Sequence, residues 1–166
     1  MDYENAGIPV VSIKLVREPS PFEGKTVESV SDAKDFIREL IGDCDRELFC
    51  ILNLKTNGEV INYNIVSMGT LNSTLISPRE VFKASILSNA ASIVAFHNHP
   101  SGSLQPSFED RLTTERLVFC GNILDIPLAD HIIVGPGTEE YYSFKEHNEL
   151  GKSRSREVEG NALHER

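Results

Sequence analysis

Residues 92–110 of the chain read SIVAFHNHPSGSLQPSFED, and this stretch decides the fold. It begins with a short apolar run that is typical of a buried β-strand and that leads directly to His97. A loop rich in serine, proline and glycine follows the run. Ser107 then opens a helix predicted over residues 108–120, which Gly121 is expected to end. A strand, a loop and a helix in this order predict an α/β domain.

Two more helices are predicted upstream, because apolar residues recur there at helical spacing or follow strong start signals. The start and stop residues are Ser31 or Asp32 and Gly42 for the helix over 33–41, and Ser77, Pro78 and Glu80 for the helix from 78 to about 89. In the second helix, Ser77 and Glu80 have the spacing of a capping box, with Pro78 at the first helical position.

Short apolar or alternating segments between the helices predict the strands of one central sheet. Asn57-Gly58, between two of these segments, is a dipeptide favoured in tight hairpins. Because strands and helices alternate along the chain, we expect an α/β fold with a mixed central sheet flanked by helices. The predicted strands cover residues 9–16, 48–54, 61–68, 71–76, 92–96, 123–128 and 131–134.

The size and charge of the chain limit the classes of protein to which it can belong. Its 166 residues predict one domain over 8–150, an N-terminal tail over 1–7 and a disordered, polar C-terminal tail over 151–166. No apolar run is long enough to cross a membrane and the acidic start is not a secretion signal, which favours the cytoplasm. Three cysteines without a Cys-x-x-Cys pair argue against a disulfide framework. The net charge of −9 disfavours nucleic acid as a partner.

The candidate site lies directly after the apolar run. His97 and His99 are two residues apart, so both imidazoles point the same way in an extended chain. The first turn of the next helix can bring Asp110 to the same point. Two nitrogens and one carboxylate oxygen, with a fourth position left to water, are typical of a catalytic zinc site. Ser107 and Asp110 also have a simpler interpretation, because Ser-x-x-Asp at a helix start resembles a capping box.

The complete pattern resembles a known family. The spacing H-x-H-x7-S-x2-D over residues 97–110 is that of the JAMM metalloprotease motif of JAB/MPN-plus domains. Asn98 stands where deubiquitinating members carry Ser or Thr. The His-Asn-His-Pro-Ser-Gly wording resembles the bacterial RadC branch of that family, and the likeness extends over roughly residues 45–145. Two further segments share it, SPREVFK at 77–83 and DHIIVG at 130–135.

The resemblance implies both a fold and a set of site residues. The fold would be a single JAB/MPN-like domain with cytidine-deaminase-like architecture, and one zinc ion per chain would be held by the two histidines and Asp110. The family also has an upstream Glu, at a strand start, that acts as the general base. Residues 46–49, Arg-Glu-Leu-Phe, match that context, so Glu47 is the candidate base. Ser107 would donate a hydrogen bond to the oxyanion of the intermediate.

The implied reaction is hydrolysis of a peptide or isopeptide bond, with a ubiquitin-like or sulfur-carrier protein as one candidate partner. Two alternatives stay open: a DNA-repair-associated or nucleic-acid-processing protein, as the RadC name implies, and a non-catalytic protein-binding module. Every ligand position is filled, which argues against the binding module. A chain of this length is expected to lack the helical DNA-associated domain of longer RadC members. Two roles stay open for His131, which are support of the metal site and packing in the core.

Overall fold

The computed structural model of the chain describes residues 7, 10–16, 18–19, 30–69 and 76–151. None of the helices in these ranges is both long and apolar enough to cross a membrane. Most of both predicted tails and residues 71–75 of one predicted strand lie outside the described residues, so those predictions are untested. The elements are α1 (Val30–Ile41), β1 (Leu48–Leu54), β2 (Val60–Met68), α2 (Pro78–Leu87), β3 (Ser92–Asn98), α3 (Phe108–Ile123), β4 (Leu128–Val134) and β5 (Tyr141–Ser143).

The strands form one mixed sheet in the order β2-β1-β3-β4-β5. β1 is antiparallel to β2 and β3, β3 is parallel to β4, and β5 is antiparallel to β4. Phe49 on β1 lies opposite His97 on β3. Because these two strands run in opposite directions, Glu47, just before β1, lies beside the end of β3. The register therefore brings two distant parts of the sequence to the same end of the sheet.

Helices cover both faces of the sheet. α1 packs on one face, against a cluster that includes Cys50 and Leu52 of β1. α2 and α3 pack on the other face, against a cluster that includes Phe49 and Ile51. Since side chains alternate along a strand, β1 contributes to both cores, and each of its residues is buried. This arrangement confirms the predicted α/β class with a mixed central sheet flanked by helices.

Several residues predicted to begin or end the helices do not do so in the structure. α1 already includes Ser31 and Asp32, so neither residue caps it. Ser77 precedes α2, but its side chain makes no capping hydrogen bond, so the predicted capping box with Glu80 is wrong. Gly121 lies inside α3 rather than at its end. A Cβ atom at Gly121 would lie 2.6 Å from a backbone oxygen, so the glycine permits close packing against the chain that follows α3.

The strands predicted over 48–54, 61–68, 92–96 and 131–134 are confirmed within β1, β2, β3 and β4, and the other strand predictions that fall on described residues are wrong. Residues 10–16 form no strand, because alternating apolar residues do not by themselves provide a partner strand. The segment predicted as a strand over 123–128 is the end of α3 and a turn, and β4 begins at Leu128. β5 was not predicted. β3 extends to Asn98, so His97 lies within the strand rather than after it.

Candidate metal centre

Four potential metal ligands converge at the end of β3. They are Glu47, His97, His99 and Asp110, and one ligand atom from each lies within 4.8 Å of all the others. β3 supplies the first histidine, the residue after β3 supplies the second, and the first turn of α3 supplies the aspartate. The glutamate arrives from the start of β1 through the antiparallel β1–β3 pairing. The structure thus brings together every residue that the sequence predicted as a ligand or base.

The three predicted ligands face one another at short range. The Nε2 atoms of His97 and His99 lie 2.9 Å apart. Asp110 Oδ1 lies 3.2 Å from His97 Nε2, and Asp110 Oδ2 lies 3.5 Å from His99 Nε2. Imidazole nitrogens and a carboxylate oxygen directed at one point are donors that suit Zn²⁺ better than Mg²⁺, which prefers oxygen ligands. The residues present therefore fit a zinc ion.

Asp110 is held in place by the helix cap of α3. The backbone N–H and the hydroxyl of Ser107 both donate to Asp110 Oδ2, each at 2.7 Å. The Asp110 N–H donates in return to Ser107 Oγ, which completes a capping box. Burial alone would raise the pKa of Asp110, but the contacts of its carboxylate with His97, His99 and Ser107 hold that pKa well below its usual range. The helix cap and the predicted role of Asp110 as a metal ligand are therefore compatible.

His99 is fixed by its own loop. Its Nδ1 lies 2.6 Å from the carbonyl oxygen of Ser103, so that nitrogen donates and Nε2 remains for the cluster. Burial acts to lower the pKa of His99, but the Asp110 carboxylate and the Ser103 carbonyl outweigh it and raise the pKa. The loop after β3 thus aims the second imidazole at the same point as the first.

Asn98, between the two histidines, has a role that the sequence analysis did not assign. Its fully buried side chain accepts a hydrogen bond from the Leu48 N–H at 2.8 Å. It also donates to the carbonyl oxygens of Cys44 and Arg46, at 3.2 and 3.0 Å. These partners bracket Glu47, so one amide connects the histidine tripeptide to the segment that carries the candidate base.

His131 and Thr114 lie behind His97, on the side away from the other ligands. His131 Nε2 lies 2.9 Å from His97 Nδ1, and Thr114 Oγ1 lies 2.7 Å from His131 Nδ1. Burial and the neighbouring His97 lower the pKa of His131 well below its usual value, which keeps the ring neutral. The sequence analysis missed Thr114, although its position one helical turn after Asp110 places both residues on the same face of α3.

Comparison with known proteins places these features in a family. A family model described as the RadC-like JAB domain matches residues 27–150. A UPF0758 protein of Rubrobacter xylanophilus is 47% identical over 124 residues, which cover 75% of this chain and 53% of the relative. A UPF0758 protein of Clostridioides difficile is 50% identical over 101 residues, 61% of this chain and 42% of the relative. The chain spans about half the length of the curated relatives it matches.

The matched region contains the whole sheet, the three described helices and the four-residue cluster. The names of the relatives specify no activity, substrate or metal. The match therefore establishes the family but not the reaction. This chain belongs to the RadC family of JAB-domain proteins.

Proposed function

We propose that this protein is a zinc-dependent hydrolase that cleaves amide bonds, as a metallopeptidase or an isopeptidase. The observation that carries the proposal is the convergence of His97, His99 and Asp110 with a second carboxylate, Glu47. Three donors of the kind that zinc prefers, with a carboxylate beside them, are the set that metal-assisted hydrolysis requires. Membership of the JAB-domain family supports the same class of reaction.

Each residue of the cluster has a distinct role in this reaction. Zinc held by His97, His99 and Asp110 would lower the pKa of a coordinated water toward about 7 and polarise the substrate carbonyl. Glu47 would accept the proton of the attacking water and deliver it to the leaving nitrogen. Ser107 would donate a hydrogen bond to the carbonyl oxygen as negative charge develops there. Because the Ser107 hydroxyl donates to Asp110 in this structure, it must rotate to do so.

We propose a peptide or protein as the substrate, with a ubiquitin-like or sulfur-carrier protein as one candidate. The net charge of −9 supports this choice over nucleic acid, since phosphate binding needs clustered Lys and Arg. Weak binding to single-stranded and duplex DNA at about 150 mM salt is expected. Tight binding with a steep salt dependence would favour the DNA-associated alternative instead.

The metal assignment is tested by zinc analysis of purified protein. Wild type should carry about one zinc per chain, as a three-donor site implies. His99→Ala should lose the zinc and Asp110→Asn should bind it more weakly, because each removes a ligand. Glu109→Gln is the matched control, since this exposed carboxylate lies next to Asp110 but outside the cluster. Equal zinc content in wild type and His99→Ala would rule out the proposed site.

The same preparations test the reaction, with fluorogenic peptides and isopeptide-linked ubiquitin-like conjugates as substrates. Glu47→Gln should keep its zinc and lose about 100- to 10,000-fold in turnover, because a general base is removed while the ligands remain. Zinc loss in Glu47→Gln as complete as in Asp110→Asn would make Glu47 a ligand rather than a base. A zinc-loaded wild type that cleaves none of these substrates would favour a non-catalytic binding module.

A further inference from the structure

A chain of hydrogen bonds runs from the backbone of α3 through the core to the metal centre. Thr114 Oγ1 lies 2.7 Å from the carbonyl oxygen of Asp110 and 2.7 Å from His131 Nδ1. The opposite nitrogen of His131, Nε2, lies 2.9 Å from His97 Nδ1. Thr114 is 1% exposed and both histidines are fully buried, so the three side chains depend on one another for hydrogen bonds.

The direction of each hydrogen bond follows from the first one. A carbonyl oxygen only accepts, so the single hydroxyl hydrogen of Thr114 points at Asp110 O. Thr114 Oγ1 must then accept from His131, which places the proton of that neutral ring on Nδ1. His131 Nε2 is left as an acceptor, and the hydrogen bond that it receives places the proton of His97 on Nδ1. In the neutral imidazole of His97, the remaining nitrogen, Nε2, then carries the lone pair that could bind a metal.

That lone pair points at the proposed metal position, because His97 Nε2 is the atom that faces His99 Nε2 and Asp110 Oδ1. The opposite tautomer would place a proton on Nε2, where it would block a ligand bond. If the Thr114 hydroxyl instead donated to His131, its oxygen and the Asp110 carbonyl oxygen would face each other at 2.7 Å without a hydrogen between them. The geometry thus permits one order of donors.

We propose that Thr114 and His131 are positioning residues that hold His97 in the tautomer with Nδ1 protonated and Nε2 free to bind the metal. The proposal rests on the metal site proposed above and assigns it a support that begins at the backbone of the same helix that supplies Asp110. Neither residue touches the metal position, and both act through His97. His99 needs no such support, because the Ser103 carbonyl fixes its tautomer directly.

The surroundings of His131 leave the ring no other partner for these roles among the described residues. Its ring stacks on Phe144, with centroids 4.8 Å apart and planes 8° from parallel, and meets the edge of Phe49 at 5.5 Å. Aromatic faces offer no acceptor to compete with Thr114 Oγ1. Replacement of the Thr114 hydroxyl by a methyl group would therefore leave Nδ1 of His131 without a partner at nearly unchanged volume.

The test compares Thr114→Val, which removes the hydroxyl, with Thr114→Ser, which keeps it. Zinc affinity is measured by competition with a chromophoric chelator, and the tautomers of the metal-free protein by two-bond nitrogen–hydrogen correlations of ¹⁵N-labelled histidine. We expect Nδ1–H at His97 and His131 in wild type and in Thr114→Ser, with similar zinc affinities. Thr114→Val should lose about 10- to 100-fold in zinc affinity, as other variants of residues that support a ligand do.

Two results would overturn the proposal. One is an Nε2–H tautomer of His131 in the wild-type protein, which needs no variant and no metal to observe. The other is wild-type zinc affinity in a folded Thr114→Val protein. These outcomes are distinct from failure of the proposed function, because a zinc-free or inactive wild type would leave the tautomers of the metal-free protein measurable. A positioning role also predicts that Thr114→Ser restores the affinity, which a role in packing volume alone does not.

Discussion

The two histidines of the cluster present the same atom to the same point but are held in different ways. His99 is partly exposed, and its Nδ1 donates to Ser103, four residues further along the chain. His97 is fully buried, and its Nδ1 contacts His131, 34 residues away on the neighbouring strand. One ligand is thus oriented by its own loop, and the other is oriented by the folded core.

This difference separates metal binding from stability. Loss of His99 removes a ligand at the edge of the protein, where neighbouring groups can be solvated. A change behind His97 removes packing and leaves buried polar groups without partners. We call His97, with His131 and Thr114 behind it, the buried side of the site, and His99 with its loop the loop side. Variants of the buried side should lower the free energy of unfolding, whereas variants of the loop side should mainly lower zinc affinity.

The largest expected effect on stability is that of His131→Ala. Its ring fills space between Phe49 and Phe144, and its loss leaves His97 Nδ1 and Thr114 without their partner. We expect the free energy of unfolding to fall by about 2–4 kcal/mol, against at most about 1 kcal/mol for His99→Ala. Urea denaturation with excess chelator measures both, since bound zinc would add its own stabilisation. Equal losses would show that the two sides do not differ as described.

The part of the site that lies on the loop side could be predicted from the sequence, and the part on the buried side could not. The i, i+2 spacing of the histidines and the Ser-x-x-Asp start of α3 are local patterns, and local geometry determines what they do. The contact between His97 and His131 depends on the parallel β3–β4 register, which no local pattern specifies. Thr114 was missed for the same reason, although its spacing from Asp110 was visible.

The fold shows the same division between local and distant determinants. The strands β1 and β3 were found because both faces of the sheet are covered there, which gives continuous apolar runs. Residues 10–16 also contain five large apolar side chains, but these are 40–87% exposed, since apolar character does not determine whether a segment finds a partner. The sequence predicts Gly121 as the end of α3, because its close contact with the following chain is a tertiary feature that no local pattern shows.

An intermediate effect is expected for Asn98, which sits between the two histidines but has long-range partners. Asn98→Ala would leave the Leu48 N–H and the Cys44 and Arg46 carbonyl groups without their side-chain partner. We expect a loss of about 2 kcal/mol in the free energy of unfolding, with faster hydrogen exchange at the Leu48 amide. Glu47→Ala is the control, expected to change stability by no more than about 0.5 kcal/mol. Unchanged exchange at Leu48 would contradict the bracing role of Asn98.

The smallest effect concerns two serines that precede helices and that look alike in the sequence. Both Ser77 and Ser107 were predicted as caps with an acidic residue three positions later. In the structure, only Ser107 accepts a hydrogen bond from the backbone of its helix, from the Asp110 N–H at 3.1 Å. Ser77 precedes α2 in an extended conformation without a side-chain cap. Comparison of the two positions therefore distinguishes a sequence pattern that is typical of a cap from a cap that forms.

Ser107→Ala should lower the free energy of unfolding of the metal-free protein by about 1 kcal/mol, the usual cost of a lost N-cap. Ser77→Ala should lower it by no more than a few tenths, since Pro78 already favours the first turn of α2 without a side-chain hydrogen bond. Both variants are measured by urea denaturation in excess chelator. The loss at Ser107 should shrink in Asp110→Asn, because the box then lacks its charged partner and the two substitutions remove one shared interaction. A loss at Ser77 as large as that at Ser107 would mean that the pattern alone, rather than the observed hydrogen bond, determines the stability of these helix starts.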